Sequence, residues 1–374
     1  MKKLLVIAKS LGGGGSEVAL VEFLNHLDLK KYVVTVLLMD KDDEYKNRLT
    51  RKIKVKYIRF DNKIYHDMAS MYALPGKIIK KVKLNHYFHI YNLIAKHSKM
   101  PELPMYDIAI DFYGYGAFTT AFLALNVKAK KKAFWLHDVK MPWIKNVDIY
   151  FDKFDKIYGV SKTAKDNFDT FYPKFADKTE TFLNVVDIES IVKKSLDYYP
   201  KEFEDNYFYI VTVGRLTEQK GCDIAIKAAY LLKEKIPQFK WIIIGEGRDH
   251  KKLNKLIAKY KLQDNVHLLG RKNNPYPYIR NCNIYVQPSR HEGYGLSVLE
   301  ARILKRPIVV SNLPVFTEQI KNEENGIICE LTPQRLSEGI YKLYKNKKIL
   351  SNIVDNVSNE KIAFDSEMQK LNQL

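Results

Sequence analysis

Two glutamates flank a glycine-containing turn in the sequence HEGYGLSVLE, at the start of an apolar helical pattern. Glu292 and Glu300 stand eight residues apart, and their carboxylates accept hydrogen bonds from hydroxyl groups. Gly293 and Gly295 carry no Cβ, so the backbone can take positive φ angles and approach a ligand closely. A helix beginning near Leu296 would present N–H groups and a positive dipole end to an anion. The segment therefore predicts a site for a diphosphate and for hydroxyl groups.

Two cations flank another strand-to-helix turn, in the sequence VGRLTEQKG. Arg215 presents a planar fork that binds phosphate through two hydrogen bonds, and Lys220 presents a point charge. Together they could neutralise a diphosphate leaving group as its negative charge grows. A solvated basic loop without a ligand is the alternative interpretation.

Four consecutive glycines, Gly12–Gly15, follow the first apolar run and open a helical pattern. In an open α/β sheet, ligands lie at the carboxyl ends of the strands, where this loop would not obstruct one. The dinucleotide fingerprint G-x-G-x-x-G is incomplete because its third glycine position falls on Glu17. Asp40 does end the second apolar run, so a dinucleotide-dependent dehydrogenase stays open but disfavoured. A ligand-binding loop is favoured over a turn without function.

His137 follows the apolar run AFWL, at the end of a predicted strand. Its imidazole could donate a hydrogen bond to a sugar hydroxyl or a phosphate. A structural histidine is the alternative, and no general-base role is assigned.

The chain's 374 residues exceed what one hydrophobic core usually holds, which predicts two domains. Apolar runs of strand length alternate with helical patterns in both halves, and this alternation is typical of open parallel sheets. The predicted domains are 1–190 and 207–357. The charged, tyrosine-rich stretch 191–206 between them is the predicted linker.

The chain is basic, with a net charge of +19, and 46% of its residues are hydrophobic. No window approaches the roughly 18 apolar residues of a membrane span. Three cysteines, Cys222, Cys282 and Cys329, fit neither a disulfide framework nor a zinc site, which indicates a reducing cytoplasm.

The segment 63–99 is a predicted helical insertion that mixes lysines with apolar and aromatic residues. Such a mixture suits peripheral contact with an anionic membrane. A solvated helix pair is the alternative. The residues concerned are Lys77, Ile78, Ile79, Lys80, Lys81, Val82, Lys83, Phe88, Ile90 and Leu93.

The order of these motifs resembles the retaining family-4 glycosyltransferases of the GT-B fold. The motifs are G-G-G-x-S-E, W-L-H-D, V-G-R-L-x-x-x-K-G, I-I-G-E-G and E-G-Y-G-L-S-V-L-E-A, and together they span nearly the whole chain. The resemblance implies an α/β protein of two Rossmann-like, doubly wound parallel-sheet domains facing across a cleft. The C-terminal domain would hold a sugar nucleotide and the N-terminal domain the acceptor. A helix within 358–374 would pack back on the N-terminal domain.

The resemblance also implies roles for individual residues. Arg215 and Lys220 would hold the diphosphate, Glu300 the ribose hydroxyls and Glu292 the hydroxyls of the donor sugar, while His137 would lie near the anomeric centre. The implied catalytic set is His137, Arg215, Lys220 and Glu292. Further donor contacts are implied for Gly13, Gly14, Gly214, Gly245, Arg271, Gly295, Leu296 and Ser297.

No cofactor and no metal ion are expected. Asp40 and Asp42 imitate a D-x-D metal motif, but the Arg215 and Lys220 pair already supplies the charge that a metal would provide. The chain departs from the family pattern in two places, which leave the donor-sugar pocket open. It lacks a glycine pair before Glu318, itself a further candidate, and a glycine at 305–306.

These observations predict a cytoplasmic glycosyltransferase at the inner face of the cell membrane. It would move a hexose-type sugar from a nucleotide-diphosphate donor to a hydroxyl of a lipid-linked surface glycan, such as a capsule, an exopolysaccharide or a related polymer. UDP is expected on family frequency alone. A nucleotide-sugar epimerase and a non-catalytic nucleic-acid-binding protein remain alternatives, and no nucleic acid is expected as a partner of the transferase. The sequence does not indicate an oligomeric state.

Overall fold

The computed structural model describes four stretches of the chain: 1–71, 87–100, 104–114 and 116–374. It divides into two units. The first contains residues 1–186 and 364–374, and the second contains residues 187–363.

In the first unit, seven described strands form one sheet in the order β3-β2-β1-β6-β7-β8-β9, and all neighbours are parallel. Residues 4–8 of β1 are buried, as expected for a strand covered on both faces. A short antiparallel pair, β4 and β5, lies apart from this sheet. The bounds are β1 Lys2–Ala8, β2 Tyr32–Leu38, β3 Lys54–Tyr57, β4 Arg59–Phe60, β5 Ser98–Lys99, β6 Tyr106–Asp111, β7 Ala129–Leu136, β8 Lys156–Gly159 and β9 Thr179–Thr181.

Helices connect these strands in the manner of doubly wound sheets. Ser161 caps one of them, because its hydroxyl accepts a hydrogen bond from the Ala164 N–H at 3.0 Å. The helices are Gly15–Asn25, Lys63–Ser70, Tyr87–Lys96, Phe118–Asn126, Lys162–Phe171 and Asp365–Lys370.

The predicted basic insertion 63–99 begins and ends with helices, at Lys63–Ser70 and Tyr87–Lys96. Residues 72–86 lie outside the described residues, and with them Lys77, Ile78, Ile79, Lys80, Lys81, Val82 and Lys83. Within the described stretches, no helix combines the length and apolarity needed to cross a membrane.

In the second unit, six described strands lie in the order β12-β11-β10-β13-β14-β15, again all parallel. The predicted class, α/β with two doubly wound parallel sheets, is therefore confirmed. The strands are β10 Phe208–Val213, β11 Phe239–Ile244, β12 Val266–Leu268, β13 Ile284–Gln287, β14 Ile308–Ser311 and β15 Ile327–Cys329. The helices are Ile188–Lys194, Cys222–Leu232, His250–Lys259, Tyr276–Asn281, Leu296–Ile303, Pro314–Thr317, Pro333–Lys345 and Lys347–Asn359.

The stretch 191–206, the predicted linker, lies in the second unit, and the chain divides between residues 186 and 187. Phe203 in this stretch is buried, and its ring stacks on Tyr209 with centroids 3.8 Å apart, whereas Tyr198 and Tyr199 are exposed. Tyr278 Oη donates to Glu202 Oε2 at 2.7 Å. These contacts join the stretch to the sheet, and composition alone did not reveal them.

Residues 364–374 return to the first unit. The Leu183 N–H donates to Glu367 Oε2 at 2.8 Å, and Lys370 Nζ donates to the Thr181 carbonyl at 2.7 Å. Leu371 is buried. The chain therefore ends against the unit in which it began.

Candidate functional site

Two of the predicted motifs meet at the carboxyl edge of the second sheet. β10 and β13 are neighbours in this sheet, so the loops that follow them lie side by side. The Arg290 N–H donates to the Gln219 carbonyl at 2.7 Å, and Gln219 Nε2 donates to the His291 carbonyl at 3.1 Å. Segments far apart in sequence thus form one cluster of loops.

Lys220 and Glu292 form the central contact of this cluster. Lys220 Nζ lies 2.6 Å from Glu292 Oε1, and the two side chains are only 15% and 6% exposed. Ser289 Oγ also donates to Glu292 Oε1, at 2.6 Å. One carboxylate oxygen therefore accepts from both a cation and a hydroxyl, in surroundings that admit little water.

A chain of buried hydrogen bonds leads to Glu292 from the strand below it. Tyr285 Oη and Ser297 Oγ both donate to Gln287 Oε1, at 2.8 and 3.1 Å. Gln287 Nε2 donates to Ser289 Oγ at 2.9 Å, and that hydroxyl donates to Glu292. Gln287 and Ser289 are fully buried. Successive hydrogen bonds are thus donated in the direction of Glu292, and the last of them orients its carboxylate.

A bidentate ion pair braces the same loops. Arg290 Nη1 and Nη2 lie 2.8 and 2.9 Å from the two carboxylate oxygens of Asp223. Arg290 Nη1 also donates to the Glu218 carbonyl at 2.7 Å. Sequence reasoning missed this pair, because nothing in the spacing of an arginine and an aspartate 67 residues apart indicates a contact.

Glycines let the neighbouring loops approach each other. A Cβ on Gly245, whose φ is +148°, would lie 1.9 Å from the Gly214 carbonyl oxygen. Gly214 in turn lies beneath the aliphatic stem of Lys220. Arg215 is exposed on this edge, and Arg271 is exposed after β12. The structure thus brings the predicted residues Gly214, Lys220, Gly245 and Glu292 into contiguous loops.

The helix predicted to begin near Leu296 begins at that residue. Gly295 has φ +87° and precedes the helix Leu296–Ile303. A Cβ on Gly295 would lie 2.7 Å from Phe316 Cε1, so both its conformation and its surroundings favour glycine. Glu300, on the same helix, accepts a hydrogen bond from Tyr276 Oη at 3.1 Å. Glu318 is exposed.

The glycine loop belongs to the first unit. Gly13 has φ +43°, and the Gly14 N–H donates to the Gly12 carbonyl at 2.9 Å. A Cβ on Gly12 would overlap the Asp42 carboxylate, whereas one on Gly15 would meet nothing within 4 Å. The loop is therefore a tight turn at the carboxyl end of β1, directly before a helix.

His137 follows β7 in the same unit and is buried. Its Nε2 donates to the Phe112 carbonyl, which follows the neighbouring strand β6. Burial lowers the pKa of His137 to about 4, so the imidazole is neutral near pH 7. A neutral, anchored imidazole suits positioning or hydrogen bonding better than proton donation.

Asp111 is a buried carboxyl that sequence reasoning missed. It ends β6, where the Tyr113 N–H donates to Oδ1 at 3.1 Å and Thr120 Oγ1 donates to Oδ2. Burial raises its pKa to about 6. Its one sequence signal is a carboxyl residue directly after the apolar run IAI, at the end of a strand.

Asp40, part of the D-x-D pattern, lies 2.9 Å from His66 Nε2 through Oδ1. In the part of the chain that the structure describes, no group of three or more His, Cys, Asp or Glu side chains is arranged to hold a metal ion. A metal-independent reaction remains a prediction.

The sequence matches known proteins over different lengths. An uncharacterised glycosyltransferase of Methanocaldococcus jannaschii is 33% identical over 184 residues, which cover 48% of this chain and 44% of that protein. The N-acetylgalactosamine-N,N'-diacetylbacillosaminyl-diphospho-undecaprenol 4-alpha-N-acetylgalactosaminyltransferase of Campylobacter jejuni is 23% identical over 369 residues, which cover 98% and 96%. The chain spans 44% of the Methanocaldococcus protein and 45% of an Escherichia coli O-antigen biosynthesis glycosyltransferase.

Solved structures share the whole fold. The crystal structure of Anabaena HepE in complex with UDP superimposes with a TM-score of 0.73 at 17% identity, covering 99% of this chain and 98% of that one. At this identity the likeness concerns the fold alone, and it confirms the predicted GT-B architecture of two Rossmann-like domains.

The family match falls on the unit that carries the Lys220 and Glu292 pair. Residues 198–360 match the model described as glycosyl transferases group 1. This range includes Arg215, Glu300 and the hydrogen-bond network that ends at Glu292. Over these residues, the chain is similar to the glycosyl transferases group 1 family.

Proposed function

We propose that this chain is a retaining glycosyltransferase that moves a hexose-type sugar from a nucleoside-diphosphate sugar to a hydroxyl of a lipid-linked or polymeric glycan. UDP is the proposed nucleotide. The observation that carries the proposal is the buried contact between Lys220 and Glu292 at the carboxyl edge of a parallel sheet. A cation and an oriented carboxylate at this edge suit a ligand that carries both phosphate and hydroxyl groups.

Donor binding would divide between charge and hydroxyl recognition. Arg215 is exposed on the edge, and Lys220 lies beside it in the same loop. Both can neutralise a diphosphate, and the start of the helix Leu296–Ile303 adds backbone N–H groups. Glu300 accepts from Tyr276 in this structure and would accept from the ribose hydroxyls. Glu292 would accept from the sugar hydroxyls.

The reaction breaks the bond between the anomeric carbon and the diphosphate oxygen. A bond forms between that carbon and the acceptor oxygen on the same face of the sugar, and the acceptor proton leaves with the diphosphate. The catalytic contribution of Arg215 and Lys220 would be to stabilise the charge that grows on the departing diphosphate. Since these two cations supply that charge, activity is expected to survive EDTA.

We propose the acceptor class from the acceptors that the names of two relatives specify. The name of the Campylobacter jejuni relative specifies a saccharide on diphospho-undecaprenol. That of a Staphylococcus aureus relative, 29% identical over 194 residues, specifies poly(ribitol-phosphate). Both acceptors carry phosphate, in keeping with the net charge of +19. We also propose that the protein acts at the inner face of the membrane and contacts it through the segment 63–99.

A thermal-shift panel of UDP-, GDP-, ADP- and dTDP-sugars tests the donor site. We expect one UDP-sugar to raise the Tm of the wild type and Glu300→Ala to abolish the shift. Glu234→Ala, an exposed position in the same unit, is the matched control. The proposed function is wrong if no donor stabilises the wild type. Incubation with donor alone, followed by analysis for an isomer, separates a transferase from an epimerase.

A further inference from the structure

The first unit contains a cavity that none of the site residues lines. Its volume is about 660 Å³, within the range of roughly 300–1,000 Å³ of ligand pockets. One wall comes from the segment after β7, and the other comes from the end of the helix Lys162–Phe171. The apolar lining residues are Val139, Met141, Pro142, Ile144, Phe168, Phe171 and Tyr172.

The two walls are held together by packing and by a hydrogen bond. Asn167 Nδ2 donates to the Val139 carbonyl at 2.6 Å, which ties the helix to the segment. The Phe168 and Tyr172 rings stack with centroids 5.0 Å apart. Phe171 is nevertheless 70% exposed. Phe171 thus extends the apolar lining of the cavity to the solvent.

Two lysines in the same segment give this cavity a positive rim. Lys140 and Lys145 line it and are exposed. The described residues provide neither of them with a salt bridge, whereas Lys162 and Lys165, on the adjoining helix, pair with Asp166 and Asp169. Burial raises the pKa of Asp148, while the charge of Lys145 acts in the opposite direction. The rim therefore complements an anion.

The position of the cavity relates it to the acceptor side of the proposed reaction. Its lining begins at Val139, two residues after His137 and at the carboxyl end of β7. A free glycan would find few polar partners on this wall. An amphiphile with a phosphate next to a hydrocarbon chain would match both the rim and the wall.

We propose that this cavity binds the hydrocarbon chain of a lipid-linked acceptor and that Lys140 and Lys145 bind its phosphate. The inference rests on the proposed transferase function and deepens it by naming the acceptor's non-sugar part. The occupant is a single lipid chain, not the surface of a bilayer.

Binding of farnesyl phosphate to the full-length protein tests this assignment. Trp143, next to Pro142, provides a fluorescence signal beside the cavity. We expect farnesyl phosphate to bind more than tenfold tighter than farnesol or inorganic phosphate. Phe171→Gln should weaken it about tenfold, and Lys140→Gln with Lys145→Gln should weaken farnesyl phosphate but not farnesol. The matched controls Leu125→Gln and Lys128→Gln, exposed elsewhere in this unit, should bind normally.

Two results would overturn the proposal. One is wild-type affinity for farnesyl phosphate no better than for inorganic phosphate. The other is a Phe171→Gln variant that keeps its affinity for farnesyl phosphate but loses binding to phosphatidylglycerol vesicles, which would make the patch a bilayer contact. Phe171→Gln should keep its donor-induced thermal shift, which shows that the second unit is intact. A chain that binds farnesyl phosphate but no nucleotide sugar would refute the proposed function alone.

Discussion

Glu292 shares one carboxylate oxygen between Lys220 and Ser289, and this arrangement changes the interpretation of two predicted residues. From residue type alone, Lys220 is expected to bind phosphate and Glu292 to bind hydroxyl groups. The structure shows them in direct contact at 2.6 Å. A ligand that binds here meets a cation and a carboxylate that are already oriented by their mutual contact.

Replacing the cation tests its share in leaving-group stabilisation. We expect Lys220→Ala to lower kcat about 10²–10³-fold, because it removes one donor from the developing charge and leaves Glu292 buried without its cation. The measurement is initial-rate transfer from the donor identified in the thermal-shift panel. Lys251→Ala, exposed on the helix His250–Lys259, should keep wild-type rates. A loss of less than tenfold would remove Lys220 from the catalytic set.

Ser289 is a positioning residue, since it acts through Glu292. Hydrogen bonds to charged groups contribute about 1.5–3 kcal/mol, so Ser289→Ala should lower kcat/KM for the donor about 10–100-fold. Combined with Lys220→Ala it should be non-additive, because both side chains bind the same oxygen. Ser358→Ala, at an exposed position, is the control. Additive losses would show that the network does not orient Glu292.

Asp111 and His137 oppose each other in the pH dependence of stability. Asp111 has a folded pKa of about 6, so it takes up a proton in the folded chain first and stabilises that chain as pH falls. His137 has a folded pKa of about 4, so the unfolded chain takes up its proton first, below pH 6.5, and stability falls. Asp111→Asn removes the first of these two effects, so that the destabilisation by His137 is no longer opposed.

We therefore expect the free energy of unfolding of Asp111→Asn to fall more steeply between pH 6.5 and 4 than that of the wild type. The difference should reach about 2–3 kcal/mol, from a shift of about two pKa units. Urea unfolding in a Trp241→Phe background reports the first unit through Trp135 and Trp143. Asp177→Asn, at an exposed site in that unit, should follow the wild type. Parallel curves for Asp111→Asn would contradict the raised pKa of the buried Asp111 carboxyl.

At the scale of elements, the candidate site depends on loops that pass each other closely. Gly221 precedes the helix Cys222–Leu232 with φ +66°, and a Cβ there would lie 1.8 Å from the Pro288 carbonyl oxygen. The loop after β10 can therefore contact the loop after β13 only with glycine at this position. These loops carry Lys220 and Glu292.

Gly221→Ala should destabilise the second unit by more than the ~1–3 kcal/mol of left-handed strain alone, since backbone atoms must also move. We expect its Tm to fall by roughly 5 °C or more and its donor-induced shift to vanish. Differential scanning calorimetry measures both. Gly15→Ala, with open space around its Cβ position, should be neutral or slightly stabilising. An unchanged Tm for Gly221→Ala would mean that the loops are not in close contact.

At the scale of the whole molecule, the chain passes twice from one unit to the other. It leaves the first unit after residue 186 and returns at residue 364. The return is specific, because the terminal segment supplies Glu367 and Lys370 to the backbone around β9. The first unit is thus completed by the last residues of the chain.

Removing residues 364–374 should lower the Tm of the first unit, because it exposes the site of Leu371 and leaves the Leu183 N–H without its partner. Donor-induced stabilisation of the second unit should persist. Calorimetry of the truncated chain with and without donor distinguishes the two transitions, and removal of residues 373–374 alone is the control. If the truncated first unit unfolds at the wild-type temperature, the terminal contacts do not stabilise it.

The sequence by itself determined the two parallel sheets and the positions of the loops that follow their strands. Apolar runs alternating with helical patterns are local signals, and glycines before a helix mark the turns at Gly14 and Gly295. Motif order also indicates Arg215, Lys220, Glu292 and Glu300 as candidate site residues. All of these signals come from residues that are close together in the sequence.

Only the tertiary structure decided which of these groups touch and which residues support them. The contacts of Lys220 with Glu292 and of Arg290 with Asp223 join residues 72 and 67 positions apart, and no local pattern encodes such distances. Burial produced the opposite pKa shifts of Asp111 and His137. It depends on neighbouring strands, so it becomes visible only when the sheet is assembled.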